Sequence, residues 1–105
     1  MITNLNKDTF KQTITQNKYS VVKFGSNWCG PCKMLSNTLK QFDIENNIPI
    51  YEVDVDSNVE LCNEYDITNI PVLMVFDSNC NIMCRYNRVL TQGELEFEIF
   101  KKYTK

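Results

Sequence analysis

The chain has 105 residues, and its 43% hydrophobic and 23% charged residues are the proportions of an ordinary globular domain. A net charge of -2 without a basic block argues against a nucleic-acid-binding surface, and no apolar run is long enough to cross a membrane. Histidine is absent, which excludes Ser-His and Cys-His nucleophilic catalysis and weakens zinc and haem interpretations.

The first residues, Met1 to Leu5, lack the charged start and the long apolar core of a signal peptide. We therefore expect a cytoplasmic protein in which thiols stay reduced, so that the five cysteines are not a structural staple. No repeat, linker or low-complexity tract interrupts the chain. We expect residues 1–105 to form a single domain.

Apolar runs alternate with helical patterns along the chain. The predicted elements are, in order, an edge strand at 2–4, a helix capped by Asn6, a buried strand at 19–25, a helix at about 29–43, a strand at 48–55, a helix through Leu61, strands at 72–76 and 82–86, and a final helix through Ile99. Two capping boxes, Ser57–Glu60 and Thr91–Glu94, predict where the last two helices begin. This alternation predicts an α/β fold of βαβ units closed by a hairpin and a last helix.

The most informative stretch runs from Trp28 to Lys33 and reads Trp-Cys-Gly-Pro-Cys-Lys, between a buried strand and a helix. Two cysteines separated by two residues in this setting are typical of a redox-active dithiol. Cys29 falls at the helix N-terminus, where unpaired N–H groups and the helix dipole favour a thiolate. We predict that Cys29 is the exposed nucleophile and that Cys32 is shielded and reacts second.

The residues around the two cysteines fit the same chemistry. Gly30 permits a tight turn, and Pro31 fits the first helical turn without losing a needed donor. We interpret Trp28 as a flat apolar surface for the backbone of a substrate. The alternative for the cysteine pair is a structural zinc half-site, which lacks a second Cys-x-x-Cys motif and any histidine.

With this motif the chain resembles thioredoxins along nearly its whole length. The resemblance implies the thioredoxin fold, a mixed central β-sheet flanked by helices on both faces in the order βαβαβαββα. It also implies that Pro71 is cis and packs opposite the dithiol, with the backbone of Ile70 free to pair with an extended substrate.

The resemblance to thioredoxins also implies a function. It predicts a thiol-disulfide oxidoreductase that reduces protein disulfides as a monomer, with a redox-active Cys29–Cys32 disulfide and no bound cofactor or metal. Electrons would come from a separate thioredoxin reductase linked to NADPH or ferredoxin, since the sequence carries no dinucleotide or flavin fingerprint.

Lys23 departs from the family pattern, because thioredoxins usually have a buried Asp at this position, beneath the second cysteine. Glu52 falls where many thioredoxins have a Lys, so we predict a reversed ion pair between Lys23 and Glu52. In the alternative, Lys23 extends along its aliphatic stem to solvent. A cation near Cys32 favours its thiolate unless Glu52 neutralises it, which makes both residues candidates for tuning the ionisation of the cysteines.

Arg88 stands where a Gly commonly borders the substrate groove of thioredoxins. It would favour acidic targets or be a solvated charge at the rim.

The other three cysteines receive no role. Cys62 is interpreted as filling the core, and Cys80 and Cys84 lie too far apart along extended chain to form a disulfide.

Two other functions compete with disulfide reduction. One is a non-enzymatic interaction subunit that binds a partner through the surface around Trp28 and Pro71. The other is a more oxidising, isomerase-type relative, which Lys23 favours but the Gly30-Pro31 pair does not.

Overall fold

The computed structural model describes residues 2–46 and 48–103. In chain order its elements are β1 (Thr3–Asn4), α1 (Phe10–Ile14), β2 (Tyr19–Gly25), α2 (Gly30–Asn46), β3 (Ile50–Asp54), α3 (Val59–Glu64), β4 (Val72–Asp77), β5 (Ile82–Tyr86) and α4 (Gln92–Leu95). A 3-10 turn (Val55–Ser57) precedes α3, and α4 continues through a π-helical stretch (Glu96–Phe100) into a last turn (Lys101–Tyr103). The order is the predicted βαβαβαββα.

The five strands form one mixed sheet in the order β1-β3-β2-β4-β5. Strands β1, β3 and β2 are parallel, whereas β4 is antiparallel to β2 and β5 is antiparallel to β4. The central strand β2 is buried from its second residue onward, as its apolar run predicted. Its Lys23 is paired in register with Glu52 of β3 on one side and Leu73 of β4 on the other.

Two apolar clusters cover the two faces of the sheet. Val21 belongs to the cluster under α2 and α4, while Val22 and Phe24 belong to the cluster under α1 and α3. Because side chains alternate along a strand, Lys23 points to the same face as Val21, the face that α2 covers. The strand therefore directs a lysine toward the helix that carries the cysteines.

The predicted start is confirmed for α4 and wrong for α3. Thr91 Oγ1 accepts from the backbone N–H of Glu94 (3.2 Å), and the Glu94 carboxylate accepts from the Thr91 N–H (3.1 Å). The N-cap of α3 is Asn58 rather than Ser57. Ser57 is part of the 3-10 turn, and its hydroxyl donates to the Asp54 carboxylate at 3.2 Å. The extra turn moves the helix start by one residue.

Other predicted bounds differ by a few residues. Asn6 caps the turn before α1 rather than the helix itself, since its side chain accepts from the N–H groups of Asp8 and Thr9 at 2.8 and 3.1 Å. Strand β3 begins two residues later than predicted, and α2 ends three residues later. Within the described ranges, no helix is long and apolar enough to span a membrane.

The two capping boxes predict different effects of mutation. Thr91→Ala removes a real cap and should lower the free energy of unfolding by about 1 kcal/mol. The matched control Ser57→Ala removes a hydroxyl that caps no helix and should change it by less than about 0.5 kcal/mol. Urea unfolding followed by circular dichroism measures both; equal losses would contradict the assignment.

Candidate active site

Cys29 and Cys32 form a disulfide at the N-terminus of α2, with their Cα atoms 5.2 Å apart. Cys29 directly precedes the helix, and the backbone N–H of Cys32 donates to the Cys29 sulfur at 3.2 Å. This N–H has no partner within the helix, as is usual in a first turn. A donor aimed at the sulfur, together with the helix dipole, stabilises negative charge on Cys29.

The two cysteines differ in accessibility, but less than predicted. Cys32 is fully buried, whereas Cys29 keeps 7% of its surface exposed. Cys29 is therefore the more accessible of the two cysteines, as predicted. The prediction that Cys29 is exposed is wrong for the disulfide form. Covalent pairing with Cys32 holds its sulfur against the helix.

Trp28 stands beside the disulfide with 71% of its surface exposed. Its indole N–H donates to the Asp56 carboxylate at 2.9 Å, which links the loop before α2 to the turn after β3. Sequence reasoning gave Asp56 no part in the site, and no sequence signal connects residues 28 positions apart.

The Ile70-Pro71 peptide bond is cis, as the resemblance implied. Pro71 is buried and immediately precedes Val72, the residue of β4 that pairs with Phe24 near the end of β2. The bond therefore lies at the sheet end from which β2 leads into the cysteine motif. Ile70 is half-buried.

Gly25, the last residue of β2, is a second residue that sequence reasoning missed. A Cβ atom there would lie 3.1 Å from both Cβ and Sγ of Cys32 and 3.3 Å from Cε of Lys23. The absent side chain leaves the space in which these two residues approach each other. A glycine that ends a buried strand is the available signal, because such glycines often mark close approach.

The predicted ion pair is present: Lys23 Nζ lies 2.8 Å from the Glu52 carboxylate, and Lys23 is only 6% exposed. The alternative in which Lys23 reaches solvent is wrong. Lys23 also donates to the carbonyl oxygen of Cys32 at 3.3 Å and to the hydroxyl of Ser36. Ser36 in turn donates to Glu52 at 2.7 Å. We call Lys23, Ser36 and Glu52 the buried triad after the buried Lys23; Ser36 and Glu52 are half-buried.

Sequence reasoning missed Ser36, although a signal was available. Ser36 follows Cys32 by four residues on α2, and residues at this spacing share a face of a helix. A hydroxyl on the face that meets a buried Lys is well placed to bond it.

The buried triad fixes the charge of Glu52. Burial raises the pKa of this carboxyl, but hydrogen bonds from Lys23 and Ser36 and the nearby charges of Lys23 and Lys40 outweigh burial. The net result is a pKa below the ordinary value. Glu52 is therefore ionised at neutral pH.

A pocket of about 380 Å³ opens beside the buried triad. Besides the triad, its charged lining residues are Lys33, Lys40 and Asp54. Ser26 also lines it, with a buried hydroxyl that makes no hydrogen bond to the described part of the chain. The pocket therefore connects the buried triad with the surface of α2.

Arg88 is half-exposed and its guanidinium pairs with the Glu94 carboxylate at 2.7 Å.

The other cysteines stand apart from the site. Cys62, Cys80 and Cys84 are free thiols, and burial raises the pKa of both Cys62 and Cys80. Across residues 2–46 and 48–103, no three His, Cys, Asp or Glu side chains are grouped to hold a metal ion.

Known proteins are similar to this chain in sequence and in fold. The family model described as Thioredoxin matches residues 1–100. The thioredoxin of Pyropia yezoensis is 37% identical over 71 residues, which is 65% of this chain and 66% of that protein. The thioredoxin of Rickettsia felis is 30% identical over 79 residues, 72% of this chain and 75% of that one.

Another relative is longer. It is a bifunctional thioredoxin reductase/thioredoxin from Mycobacterium leprae, 35% identical over 69 residues, which cover 64% of this chain but only 15% of that protein.

Two solved structures share the fold. A mutant thioredoxin from Halobacterium salinarum superposes with a TM-score of 0.88 at 22% identity, covering 99% of this chain and 91% of that one. Chloroplastic thioredoxin z has the same TM-score at 20% identity, with 99% and 96% coverage. At these identities the likeness establishes the fold.

The lowered pKa of Glu52 makes stability depend on pH. A carboxyl whose pKa is lower in the folded state stabilises the fold above its unfolded value, near 4.5, and loses that contribution as pH falls. Glu52→Gln should therefore lower the free energy of unfolding at pH 7 and have a much smaller effect near pH 3. Urea unfolding of the oxidised protein at both pH values measures this; a loss independent of pH would contradict it. The exposed Glu45→Gln serves as the control.

Proposed function

The chain belongs to the thioredoxin family, and from this premise we propose that it is a protein-disulfide reductase with Cys29 as attacking thiolate and Cys32 as resolving thiol. The proposed function is supported most directly by the Cys29–Cys32 disulfide at the N-terminus of α2, in a chain that matches the family over residues 1–100. A pair that closes this bond can return two electrons to a substrate by thiol-disulfide exchange.

The reaction consists of two exchanges. The Cys29 thiolate attacks a substrate disulfide, forming a mixed disulfide and releasing one substrate sulfur as a thiolate. Cys32 then gives up its proton and attacks the Cys29 sulfur. This step forms the Cys29–Cys32 bond, breaks the mixed disulfide and releases the second substrate sulfur. Both released thiolates take protons from water, so a substrate disulfide becomes a dithiol as the protein dithiol becomes a disulfide.

The accessibilities support this assignment of roles. Cys29 keeps some exposed surface and accepts the Cys32 N–H, so it is the sulfur that a substrate can reach as a thiolate. Cys32 is fully buried, which suits a thiol that reacts only with Cys29.

We propose that Trp28, Gly30, Pro31, Ile70 and Pro71 form the active-site loop and substrate groove. Trp28 offers an exposed ring beside the disulfide, held by Asp56. Ile70 and Pro71 belong to the same end of the sheet. An extended substrate segment could therefore contact the ring while its disulfide meets Cys29.

The cellular setting completes the proposal. We propose that residues 1–105 act as one cytoplasmic thioredoxin domain, monomeric, recycled by a separate thioredoxin reductase linked to NADPH or ferredoxin. Its substrates would be disulfide-containing proteins, and its roles electron transport and cell redox homeostasis. It would need no bound cofactor and would act on neither nucleic acid nor membrane. The acidic net charge and the family match support this.

The roles of the cysteines predict distinct behaviour of two variants. Cys29→Ser should abolish reduction of insulin by dithiothreitol beyond the uncatalysed rate. Cys32→Ser should also be inactive but should accumulate a mixed disulfide with the substrate, because its resolving thiol is gone. Non-reducing electrophoresis with mass spectrometry detects the adduct. Adducts on Cys29→Ser instead would reverse the roles.

A double variant, Cys29→Ser with Cys32→Ser, separates this function from an interaction subunit. If the biological activity persists in the double variant, partner binding rather than disulfide reduction is the function.

Trp28 predicts a difference between large and small substrates. Trp28→Ala should lower kcat/KM for a protein disulfide about tenfold, because an exposed aromatic that anchors a partner contributes at this level. Reaction with a small aromatic disulfide should change little. Phe97, an equally exposed aromatic at 69%, gives the control Phe97→Ala, which should leave both rates unchanged. Equal loss for both substrates would contradict a role in protein recognition.

A further inference from the structure

The buried ammonium of Lys23 has all of its donors engaged in the disulfide form. Its three acceptors are the Cys32 carbonyl oxygen, the Ser36 hydroxyl and the Glu52 carboxylate. An ammonium group has three N–H donors. The charge is therefore directed at Glu52 and at neutral oxygens, and the disulfide sulfurs carry no charge that would attract it.

Lys23 nevertheless approaches Cys32 closely, since its Nζ lies 3.3 Å from the Cys32 carbonyl oxygen. Cys32 Sγ and Lys23 Cε are both within 3.3 Å of the point where a Gly25 Cβ would stand. Cys32 is fully buried and Lys23 nearly so, which weakens solvent screening between them. A charge created on the Cys32 sulfur would therefore interact strongly with the ammonium.

We propose that Lys23 changes partner with the redox state of the cysteines. In the disulfide form it is held by Glu52 and Ser36. Once the disulfide is open, it turns one donor to the Cys32 sulfur as that sulfur loses its proton, and so stabilises the thiolate that closes the disulfide. This inference rests on the proposed function, in which the pair cycles between the two states.

Ser36 is the positioning residue of this exchange. Its hydroxyl accepts from Lys23 and donates to Glu52, so it couples the two charges and holds the ammonium on the side of β3. Releasing Lys23 leaves Glu52 with the Ser36 hydroxyl and the charge of Lys40, both of which already favour its ionised form. The carboxylate can thus stay charged while the ammonium turns to sulfur.

The exchange balances in electrons and protons. A dithiol reductant supplies two electrons, and the Cys29–Cys32 bond breaks. Cys29 is left as the thiolate, and Cys32 takes up one proton from water. On reoxidation Cys29 attacks a substrate disulfide, Cys32 returns its proton to water, and the Cys32 thiolate held by Lys23 attacks Cys29, which closes the Cys29–Cys32 bond and breaks the mixed disulfide. The two electrons go to the substrate sulfurs, which take protons from water. The other charged groups that line the pocket are Lys33, Lys40 and Asp54, two cations and one anion.

The test is a titration of the Cys32 thiolate in the reduced protein, followed by the Cβ resonance of cysteine labelled with carbon-13. Lys23→Met should raise the midpoint of thiolate formation at Cys32 by about one pH unit or more. Glu52→Gln, which frees the ammonium, should lower it. Ser36→Ala should lower it by less, and Ser36→Thr, which keeps the hydroxyl, should restore the wild-type value.

The control is Lys18→Met, which removes an exposed charge before the opposite end of β2 and should leave the midpoint unchanged. The proposal is overturned if Lys23→Met has the wild-type midpoint or if Glu52→Gln raises it. Should Lys23→Met fail to fold, the Glu52→Gln and Ser36→Ala titrations decide alone, since both retain the lysine. The titration needs no substrate, so its result stands apart from the insulin assay that tests the function itself.

Discussion

The site depends on the close approach of Cys32 and Lys23 to the bare backbone of Gly25. A side chain at Gly25 would meet Cys32 at 3.1 Å, so this glycine lets α2 settle directly on β2. The helix N-terminus then carries the disulfide, and a nearly buried cation lies beneath it. Such a cation is stable only with a partner, and the parallel register of β2 and β3 supplies Glu52.

The charges around the two cysteines affect their redox chemistry because Cys32 and Lys23 are buried. The backbone N–H of Cys32 donates to the Cys29 sulfur, whereas Lys23 donates to the carbonyl oxygen of Cys32 and, in the proposed exchange, turns to its sulfur. Both favour thiolates, and both therefore stabilise the dithiol relative to the disulfide. Glu52 opposes the second effect, so the strength of its hold on Lys23 determines how oxidising the couple is.

Much of the fold and part of the site could be predicted from the sequence. The mostly apolar run of β2 and the strand-turn-helix setting of Cys29 and Cys32 are local patterns, and the structure contains both. The Lys23–Glu52 pair was predictable because a buried charge needs a partner and the family topology places these strands side by side. Ser36 and Asp56 were missed because their partners are set by how α2 and the turn after β3 pack in three dimensions. The start of α3 was missed because a 3-10 turn competed for Ser57.

The reduction potential of the Cys29–Cys32 couple in wild type and in Lys23→Met tests the central claim most directly. Equilibration with dithiothreitol and glutathione, with thiol trapping, gives both values. At a pH above the midpoint of thiolate formation at Cys32 in the wild type, the account predicts a reversible two-electron couple that is more negative in Lys23→Met by about 30 mV or more, a tenfold change in equilibrium constant. Equal potentials, or a less negative value in the variant, would contradict it and remove the buried lysine from the redox chemistry.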